Sequence, residues 1–302
     1  MTEKAKRSTW FTVILVLLPV WLIASGAGAL WYYFRLEKKE ALVEQQRFSR
    51  AVSVPLLADD LRKIVEVIGE RNGSSESAAV NLSRATSMVE GLLGPSNTGY
   101  SIKRIPGPSK WPLLQVSVLG RDPKAPATWV VSSYDSPSAS RGVEANATGL
   151  AATLAAAQAL ANADFAGAIH FLLLPHANDA AGPLRETAEK VSELLKFGAL
   201  KAVFYVEAMG VGDTLWLSSQ DSSAVPLEWV TGLGEIHGAE EWGFTYLLAQ
   251  VNLPAVRVST RRSVKPLENE ERLPFAPTVA ASTGRLIELI RRCAAAPDKG
   301  ER

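Results

Sequence analysis

The chain begins with an apolar run from Trp10 to Phe34 that contains no charged residue. Its length of about 25 residues exceeds the roughly 20 that an α-helix needs to cross a bilayer. Basic residues flank the run on both sides, and tryptophan and tyrosine stand at its ends, as they do at membrane interfaces. The pattern predicts a short tail at residues 1–9 and one N-terminal transmembrane helix, a signal anchor, at residues 10–34.

A cleaved signal peptide is the alternative interpretation of this run. Ala27–Ala29 offers the small residues of a cleavage site. The apolar run continues as far as Phe34, however, which favours an uncleaved anchor. Both interpretations export the remainder of the chain, so we expect the main domain to be extracytoplasmic. With the favoured uncleaved anchor, the protein is a single-pass membrane protein. Because the basic residues on the two flanks are balanced, charge does not set the orientation.

The next segment, residues 35–53, is rich in charged residues and contains neither glycine nor proline. It lacks the repeated apolar heptads that a coiled coil requires. We therefore expect a solvated helical stalk.

From residue 54 onward, helical and strand-like apolar patterns alternate. The predicted helices are Pro55–Ile68, a segment carrying Leu82–Leu93, then Ala147–Ala161, Leu184–Phe197 and Thr278–Cys293. The predicted strands are Tyr100–Ile105, Leu113–Leu119, Thr128–Ser133, Ala168–Leu174, Ala202–Val206, Thr214–Leu217 and Leu253–Val258. Asn146 is placed to cap the helix that begins after it.

This alternation predicts an α/β fold at residues 54–296, and then a C-terminal tail at residues 297–302. We expect a three-layer domain with a central, mostly parallel mixed sheet flanked by helices. Active sites of such folds lie at the carboxyl ends of the central strands. We therefore expect any catalytic or binding residues at those strand ends.

Composition excludes several other classes of protein. The 302 residues carry 32 Lys+Arg against 31 Asp+Glu, and this balance argues against a nucleic-acid partner. A single cysteine, Cys293, excludes internal disulfides and Cys-rich zinc modules. Three histidines are few for a metal enzyme.

Several segments, taken in their order along the chain, resemble the two-zinc aminopeptidases of metallopeptidase family twenty-eight. That family includes bacterial aminopeptidases, glutamate carboxypeptidase and the transferrin-receptor ectodomain. Val130–Ser136 resembles that family's strand ending in His-x-Asp-Ser. Gly142–Gly149 resembles Gly-Ala-Asp-Asp-Asn-Ala-Ser-Gly, and Phe171–Asn178 resembles the strand that ends in a Glu-Glu pair. Tyr205–Gly210 is similar to Asn-Leu-Asp-Met-Val-Gly, and Leu253–Ala255 resembles the end of Gly-x-Pro-Ala. The resemblance implies a zinc-aminopeptidase-like fold.

The resemblance also implies what each position should contain. In that family two zinc ions polarise the scissile carbonyl and activate a bridging water, and a glutamate takes the proton of that water. A histidine ligand is expected at Ser133, the bridging aspartate at Ala145 and the general base at Ala177. A glutamate ligand is expected at Asn178 and an aspartate ligand at Glu207. A last histidine should come after Pro254, but no histidine occurs after His237.

Of the expected ligand positions, only the one at Glu207 carries an ionisable side chain, whereas a catalytic zinc usually needs three protein ligands. Asp135, which orients the histidine ligand in the family, remains without that histidine. We therefore assign no catalytic residue, no metal ligand and no cofactor. The expected vestigial cleft comprises Ser133, Asp135, Ala145, His176, Ala177, Asn178, Asp179 and Glu207.

The favoured hypothesis is a membrane-anchored, catalytically inactive relative of zinc aminopeptidases that binds a peptide or protein or scaffolds an assembly. A second hypothesis is an active metallo-aminopeptidase or other hydrolase whose site is rebuilt around His176, Asp179 and Glu207 with one zinc. A third is a structural membrane component that associates through the small residues at Ala24–Ala29.

Three further interpretations concern single side chains. His176 with Ser133 and Asp135 or Asp179 has the residue types of a catalytic triad, but the sequence lacks a Gly-x-Ser-x-Gly elbow. His170, inside an apolar strand, is expected to be a core histidine. His237 is expected in a surface loop at residues 234–238.

Overall fold

The computed structural model describes residues 17–18, 21–36, 51–263 and 272–295. Contacts divide the chain into two compact units, residues 1–46 and 47–302. The predicted tails at 1–9 and 297–302 lie outside the described residues, and so do residues 37–50 of the stalk predicted at residues 35–53. In the first unit, residues 17–18 and 21–36 are helical.

The predicted transmembrane segment at residues 10–34 is only partly described. Within the parts of the chain that the structure describes, no helix has both the length and the apolar character needed to cross a membrane. The anchor therefore stays a prediction.

The second unit is built on one eight-stranded sheet. In chain order its strands are β1 (Lys103–Pro106), β2 (Pro112–Val118), β3 (Ala127–Ser133), β4 (Ile169–Leu174), β5 (Leu200–Val206), β6 (Leu215–Ser219), β7 (Gly234–Gly238) and β8 (Val256–Ser259). Their order across the sheet is β1-β2-β4-β3-β5-β8-β6-β7. The central strands β4, β3, β5 and β8 pair in parallel, as do β6 and β7. The pairs β1–β2, β2–β4 and β6–β8 are antiparallel, so the predicted mixed sheet is confirmed.

Helices cover both faces of the sheet. They are α1 (Val54–Arg62), α2 (Glu76–Leu93), α3 (Thr148–Ala159), α4 (Leu184–Leu195), α5 (Leu227–Val230), α6 (Phe244–Gln250) and α7 (Ala276–Ala295). A π-helical turn at Lys63–Ile68 continues α1, and another at Val143–Ala147 leads into α3. The helices α1, α2, α3 and α7 pack on one face, and α4 and α6 pack on the other.

The strand β4 explains why the sheet is the middle of three layers. Phe171 and Leu173 belong to the core cluster on one face, while Leu172 and Leu174 belong to the cluster on the other. Successive side chains of a strand point to opposite faces, so a continuous apolar run suits a strand that is covered on both sides. Each such side chain contributes about 1.5–3 kcal/mol through burial. The central strand predicted at 168–174 is confirmed.

Two local predictions are wrong, and two short helices were not predicted. Asn146 does not cap α3. The N-cap residue of α3 is Ala147, which makes no side-chain capping hydrogen bond, and Asn146 lies inside the preceding π-helical turn. Residues 234–238 form the edge strand β7 rather than a loop, since they pair in parallel with β6. The helices α5 and α6 were not predicted, because 4 and 7 residues are too few to show a helical apolar period.

Candidate functional site

The candidate site lies where the parallel strands β3, β4 and β5 end. Because parallel strands present their carboxyl ends at one edge, the residues after Ser133, Leu174 and Val206 come together. Asp135 stands at the centre of this edge and is fully buried. The local structure of the site is organised around its carboxylate.

The Asp135 carboxylate holds the loop after β4. Its Oδ2 accepts backbone N–H groups of Ala177 at 2.9 Å, Asn178 at 2.9 Å and Asp179 at 3.1 Å. Its Oδ1 accepts the Asn178 side-chain amide at 3.1 Å. Successive backbone N–H groups make a concave site for an anion, and here an aspartate of the same chain fills it. Asp135 therefore orients a loop rather than a histidine.

A second set of contacts ties β3 to the start of α3 and to the same loop. Asn146 donates through its amide to Ser133 Oγ at 3.1 Å, to the Ser133 carbonyl at 3.0 Å and to the Asp135 carbonyl. Asn178 donates to Ser133 Oγ at 2.5 Å. The Ser133 hydroxyl is thus engaged by two side-chain amides. Burial also raises the pKa of the neighbouring Tyr205 phenol well above its usual range.

Arg71 supports this network from the turn after α1. Its guanidinium is fully buried and donates to Asn146 Oδ1 at 2.9 Å and to the carbonyls of Gly69 and Arg141 at 2.9 and 2.7 Å. Its backbone N–H donates to Ser136 Oγ at 3.0 Å. A buried charge is tolerated only when it is hydrogen-bonded, as it is here.

Glu207 at the end of β5 is held in a buried ion pair. Arg257 of β8 donates from Nε to Glu207 Oε2 at 2.6 Å, and the two side chains are 2% and 11% exposed. The Nη1 of Arg257 donates to the Arg261 carbonyl at 3.0 Å. The carboxylate thus has a guanidinium as its counter-charge.

His176 is 2% exposed, and neither of its ring nitrogens has a hydrogen-bond partner among the described residues. Burial lowers the pKa of its imidazole, and the nearby charges of Asp135, Asp179 and Glu186 oppose that shift only in part. The imidazole is accordingly neutral at pH 7. Neither ring nitrogen is hydrogen-bonded to Ser133, so the described residues lack the Ser–His hydrogen bond that a catalytic triad requires.

Asp179 lies on the same loop and is 3% exposed. Its Oδ1 accepts the Ser138 hydroxyl at 2.7 Å and the Ala181 N–H at 3.2 Å. Ala177 is buried and Ala145 is half-buried in the π-helical turn. Neither alanine brings a group that takes up a proton or binds a metal.

The rebuilt-site hypothesis needs His176, Asp179 and Glu207 around one metal. Across residues 17–18, 21–36, 51–263 and 272–295, no group of three or more His, Cys, Asp or Glu side chains is arranged to hold a metal ion. Glu207 turns to Arg257 instead. The convergence that this hypothesis predicts is therefore not found in the described residues.

The other two histidines lie away from this edge. His170 is half-buried on β4, contacts Ser117 Oγ through Nδ1 at 2.7 Å and packs on Trp129 with ring centroids 4.3 Å apart. It is a structural histidine, as expected. His237 packs on Trp216 at 4.4 Å between ring centroids, on the edge strand β7.

Sequence reasoning missed Arg257 and Arg71. A signal existed for Arg257, because a lone arginine inside a predicted buried strand needs a buried acid as partner. No comparable signal existed for Arg71, whose side-chain partner Asn146 is far away in the chain.

Comparison with known proteins bears on the fold. No family profile matches the chain, and no curated protein matches it by sequence. The structure resembles LapA aminopeptidase of Legionella pneumophila with a TM-score of 0.65 and 13% identity, over 84% of this chain and 74% of that one. It resembles glutaminyl cyclase of Porphyromonas gingivalis with a TM-score of 0.58 and 11% identity, over 80% and 99%.

A leucine aminopeptidase precursor from Bacteroides thetaiotaomicron gives a TM-score of 0.57 and 10% identity, over 79% of this chain and 97% of that one. At these sequence identities, the comparisons establish similarity of fold alone. The domain at residues 47–302 therefore has the three-layer α/β fold of these aminopeptidases and glutaminyl cyclases.

Proposed function

We propose that this protein is a membrane-anchored, catalytically inactive relative of the zinc aminopeptidases, whose domain binds a peptide or protein or scaffolds an assembly. The ion pair between Glu207 and Arg257 is the observation that carries this proposal. Glu207 is the one ionisable ligand that the resemblance leaves, and its negative charge is already matched by a guanidinium.

The donor set supports the loss of zinc. A two-zinc centre needs several imidazole and carboxylate ligands, with an open position for water. At the corresponding positions stand a serine hydroxyl, an alanine methyl and an asparagine amide, at Ser133, Ala145 and Asn178. A guanidinium 2.6 Å from Glu207 would also repel a divalent cation there. These residues do not fit zinc, and we derive no catalytic step through it.

The loss of a general base is independent of the metal. The resemblance assigns that role to Ala177, whose methyl group takes up no proton. A positioned general base contributes about 10²–10⁴-fold to a rate. Asp135, whose carboxylate reaches the Ala177 N–H, is occupied by three backbone N–H groups and one side-chain amide. The Asp135 carboxylate is thus engaged within the protein rather than available to a reacting substrate.

Membrane anchoring by residues 10–34 is the second part of the proposal. It rests on the uncharged run and its flanking basic and aromatic residues. Extraction of membranes at alkaline pH tests it. The full chain should remain in the membrane pellet, while a variant with two lysines in the run, Leu17→Lys and Leu22→Lys, should be released.

A turnover assay of the purified full chain tests the inactivity. We expect no hydrolysis of aminoacyl nitroanilides and no cyclisation of N-terminal glutaminyl peptides, with or without added zinc. The Arg257→Ala variant serves as a matched control, because it frees the Glu207 carboxylate. It should remain inactive, since Ala177 still provides no base. Turnover that is abolished by a chelator and by Glu207→Gln would contradict the proposal.

Binding of peptides is tested separately, by fluorescence polarisation with labelled peptides of varied sequence. Saturable binding without turnover is the expected result. Absence of binding to every peptide tested, together with loss of an oligomeric assembly only when residues 10–34 are replaced, would favour the structural membrane component instead.

A further inference from the structure

A cavity of about 290 Å³ opens beside the candidate site, between three segments of the domain. Its lining includes Ser74 before α2, Ser109 and Trp111 before β2, and His176, Asp179 and Gly182 after β4. Its volume lies near the lower end of the range for small-molecule sites, about 300–1,000 Å³. It therefore suits a small ligand or a single side chain.

The cavity is separate from the Glu207–Arg257 pair. It lies at the β2–β4 side of the sheet, whereas Glu207 and Arg257 follow or belong to β5 and β8. The strand β3, which leads to Asp135, runs between them. Neither Glu207 nor Arg257 is among the residues that line it, so a ligand in this cavity would leave that ion pair intact.

The polar groups of the cavity are incompletely satisfied within the described part of the chain. His176 is 2% exposed, yet both of its ring nitrogens lack a partner there. Such orphan groups are costly in a buried environment and call for an explanation. Asp179 uses Oδ1 for Ser138 and Ala181, and the hydrogen bonds of the described residues leave its Oδ2 free.

Charge sets the kind of ligand. Asp179 brings a carboxylate, and Asp135 and Glu186 add negative charge near the imidazole. Of the described residues that line the cavity, none is lysine or arginine. Because its imidazole is neutral, His176 has a ring nitrogen that accepts a hydrogen bond. Trp111 adds an indole, the ring that attracts cations most strongly. The cavity is therefore built for a positive charge.

We propose that this cavity binds a primary ammonium group, held by the Asp179 carboxylate and the His176 imidazole, with the attached carbon chain against Trp111. The ammonium belongs either to a small free amine or to a lysine side chain of a peptide. This goes beyond the proposed function, since the cavity has this chemistry whether or not the strand ends are catalytically inactive.

Isothermal titration calorimetry of the full chain in detergent, with a chelator present, tests the proposal. The probe is benzylammonium chloride, and benzyl alcohol is its neutral analogue. We expect saturable binding of benzylammonium with one site per chain and no saturable binding of the alcohol. Equal binding of both, or of neither, would overturn the proposal.

Asp179→Asn is the decisive variant, because the asparagine carbonyl keeps the Oδ1 contacts while the charge is lost. It should weaken benzylammonium binding by about tenfold or more, as expected for loss of a charged hydrogen-bond partner. Asp164→Asn is the matched control. It removes the same charge from an exposed ion pair with Arg121 and should leave the affinity unchanged.

Trp111→Leu keeps the test decisive if Asp179→Asn does not fold. It removes the aromatic face at the edge of the cavity and should weaken benzylammonium binding several-fold. Unchanged affinity in the folded variants would overturn the proposal. An N-acetylated lysine peptide and the same peptide with acetylated lysine distinguish the two sources. Binding of the former alone assigns a peptide lysine, and binding of benzylammonium without either peptide assigns a small amine.

The outcome is distinguishable from a failure of the proposed function. Zinc-dependent turnover would contradict inactivity and leave the calorimetric result unaffected. Absence of ammonium binding would remove the ligand assignment and leave inactivity untouched.

Discussion

Glu207 and Arg257 meet at the ends of β5 and β8, with 2.6 Å between Nε and Oε2. Removing one partner of a buried ion pair leaves an uncompensated buried charge, which costs about 3–5 kcal/mol. Arg257→Met should lower the free energy of unfolding by this amount, measured by urea denaturation with tryptophan fluorescence as the readout.

Two further variants make this measurement specific. Arg185→Met breaks the exposed pair with Glu189 and should cost at most about 1 kcal/mol. The double variant Glu207→Gln and Arg257→Met should be less destabilised than Arg257→Met alone. If Arg257→Met lowers the free energy of unfolding no more than Arg185→Met does, Glu207 is not held by Arg257.

At the scale of a residue, Asp60 on α1 makes the stability of the fold depend on pH. It is 8% exposed, and burial raises the pKa of its carboxyl from 3.8 to about 6, with Lys63 opposing and Asp59 adding to the shift. Because the folded pKa lies above the unfolded one, this contribution to stability is present below pH 3.8 and lost as the pH rises through about 6.

Asp60→Asn should therefore stabilise the protein at pH 7.5, by about 1 kcal/mol, and have little effect below pH 4. Thermal unfolding at the two pH values measures the difference. Asp59→Asn is the control, since Lys63 and Arg62 lower the pKa of Asp59 rather than raise it. A stabilisation by Asp60→Asn that is the same at both pH values would contradict the assignment.

At the scale of the element, the start of α3 presses against the end of β5. A Cβ added at Gly149 would lie 1.8 Å from the Glu207 carbonyl oxygen, so only glycine fits there. The Gly142–Gly149 segment that supports the family resemblance thus ends in a residue with a packing role. This contact fixes the distance between α3 and the edge that carries the candidate site.

Gly149→Ala should destabilise the fold by about 3 kcal/mol or more, because backbone rather than a flexible side chain must move. Gly91→Ala, in the exposed part of α2 with nothing within 4 Å of its added Cβ, is the matched control. It should be neutral or stabilise by about 0.5–1 kcal/mol, since alanine favours helix. Circular-dichroism melting curves compare the two. Equal stability of both variants would contradict the close approach.

The same elements show what the sequence could predict. The strand β4 is recognisable because a short continuous apolar run is typical of a strand covered on both faces. The strand β7 is not, since its residues are mostly exposed and bounded by glycines, and only pairing with β6 makes it a strand. Asn146 resembles a cap by position, whereas its long-range partners Arg71 and Ser133 decide its actual role.

At the candidate site, the convergence of Ser133, Asp135 and Asn178 was predictable, because they follow or end parallel strands that share one edge. The partner of Glu207 was not. Arg257 lies 50 residues further along the chain, and the pairing depends on the parallel register of β5 with β8. The cavity beside His176 was also not predictable, since it forms between loops from three separate parts of the chain.

At the scale of the whole molecule, the aminopeptidase-like fold coexists with a strand edge at which Asp135 holds a loop of the same chain and Glu207 pairs with Arg257. The fold places side chains at the ends of β3, β4, β5 and β8 whatever chemistry they carry, so fold alone does not determine activity. Activity depends instead on the identity of the groups at that edge.

Zinc content of the purified full chain is the decisive measurement for the proposed loss of the metal site. After dialysis against excess zinc and then against zinc-free buffer, inductively coupled plasma mass spectrometry should find far less than one zinc ion per chain, because Glu207 is paired with Arg257 and the other ligand types are missing. Retention of one or two zinc ions per chain, lost again in Glu207→Gln, would contradict that loss.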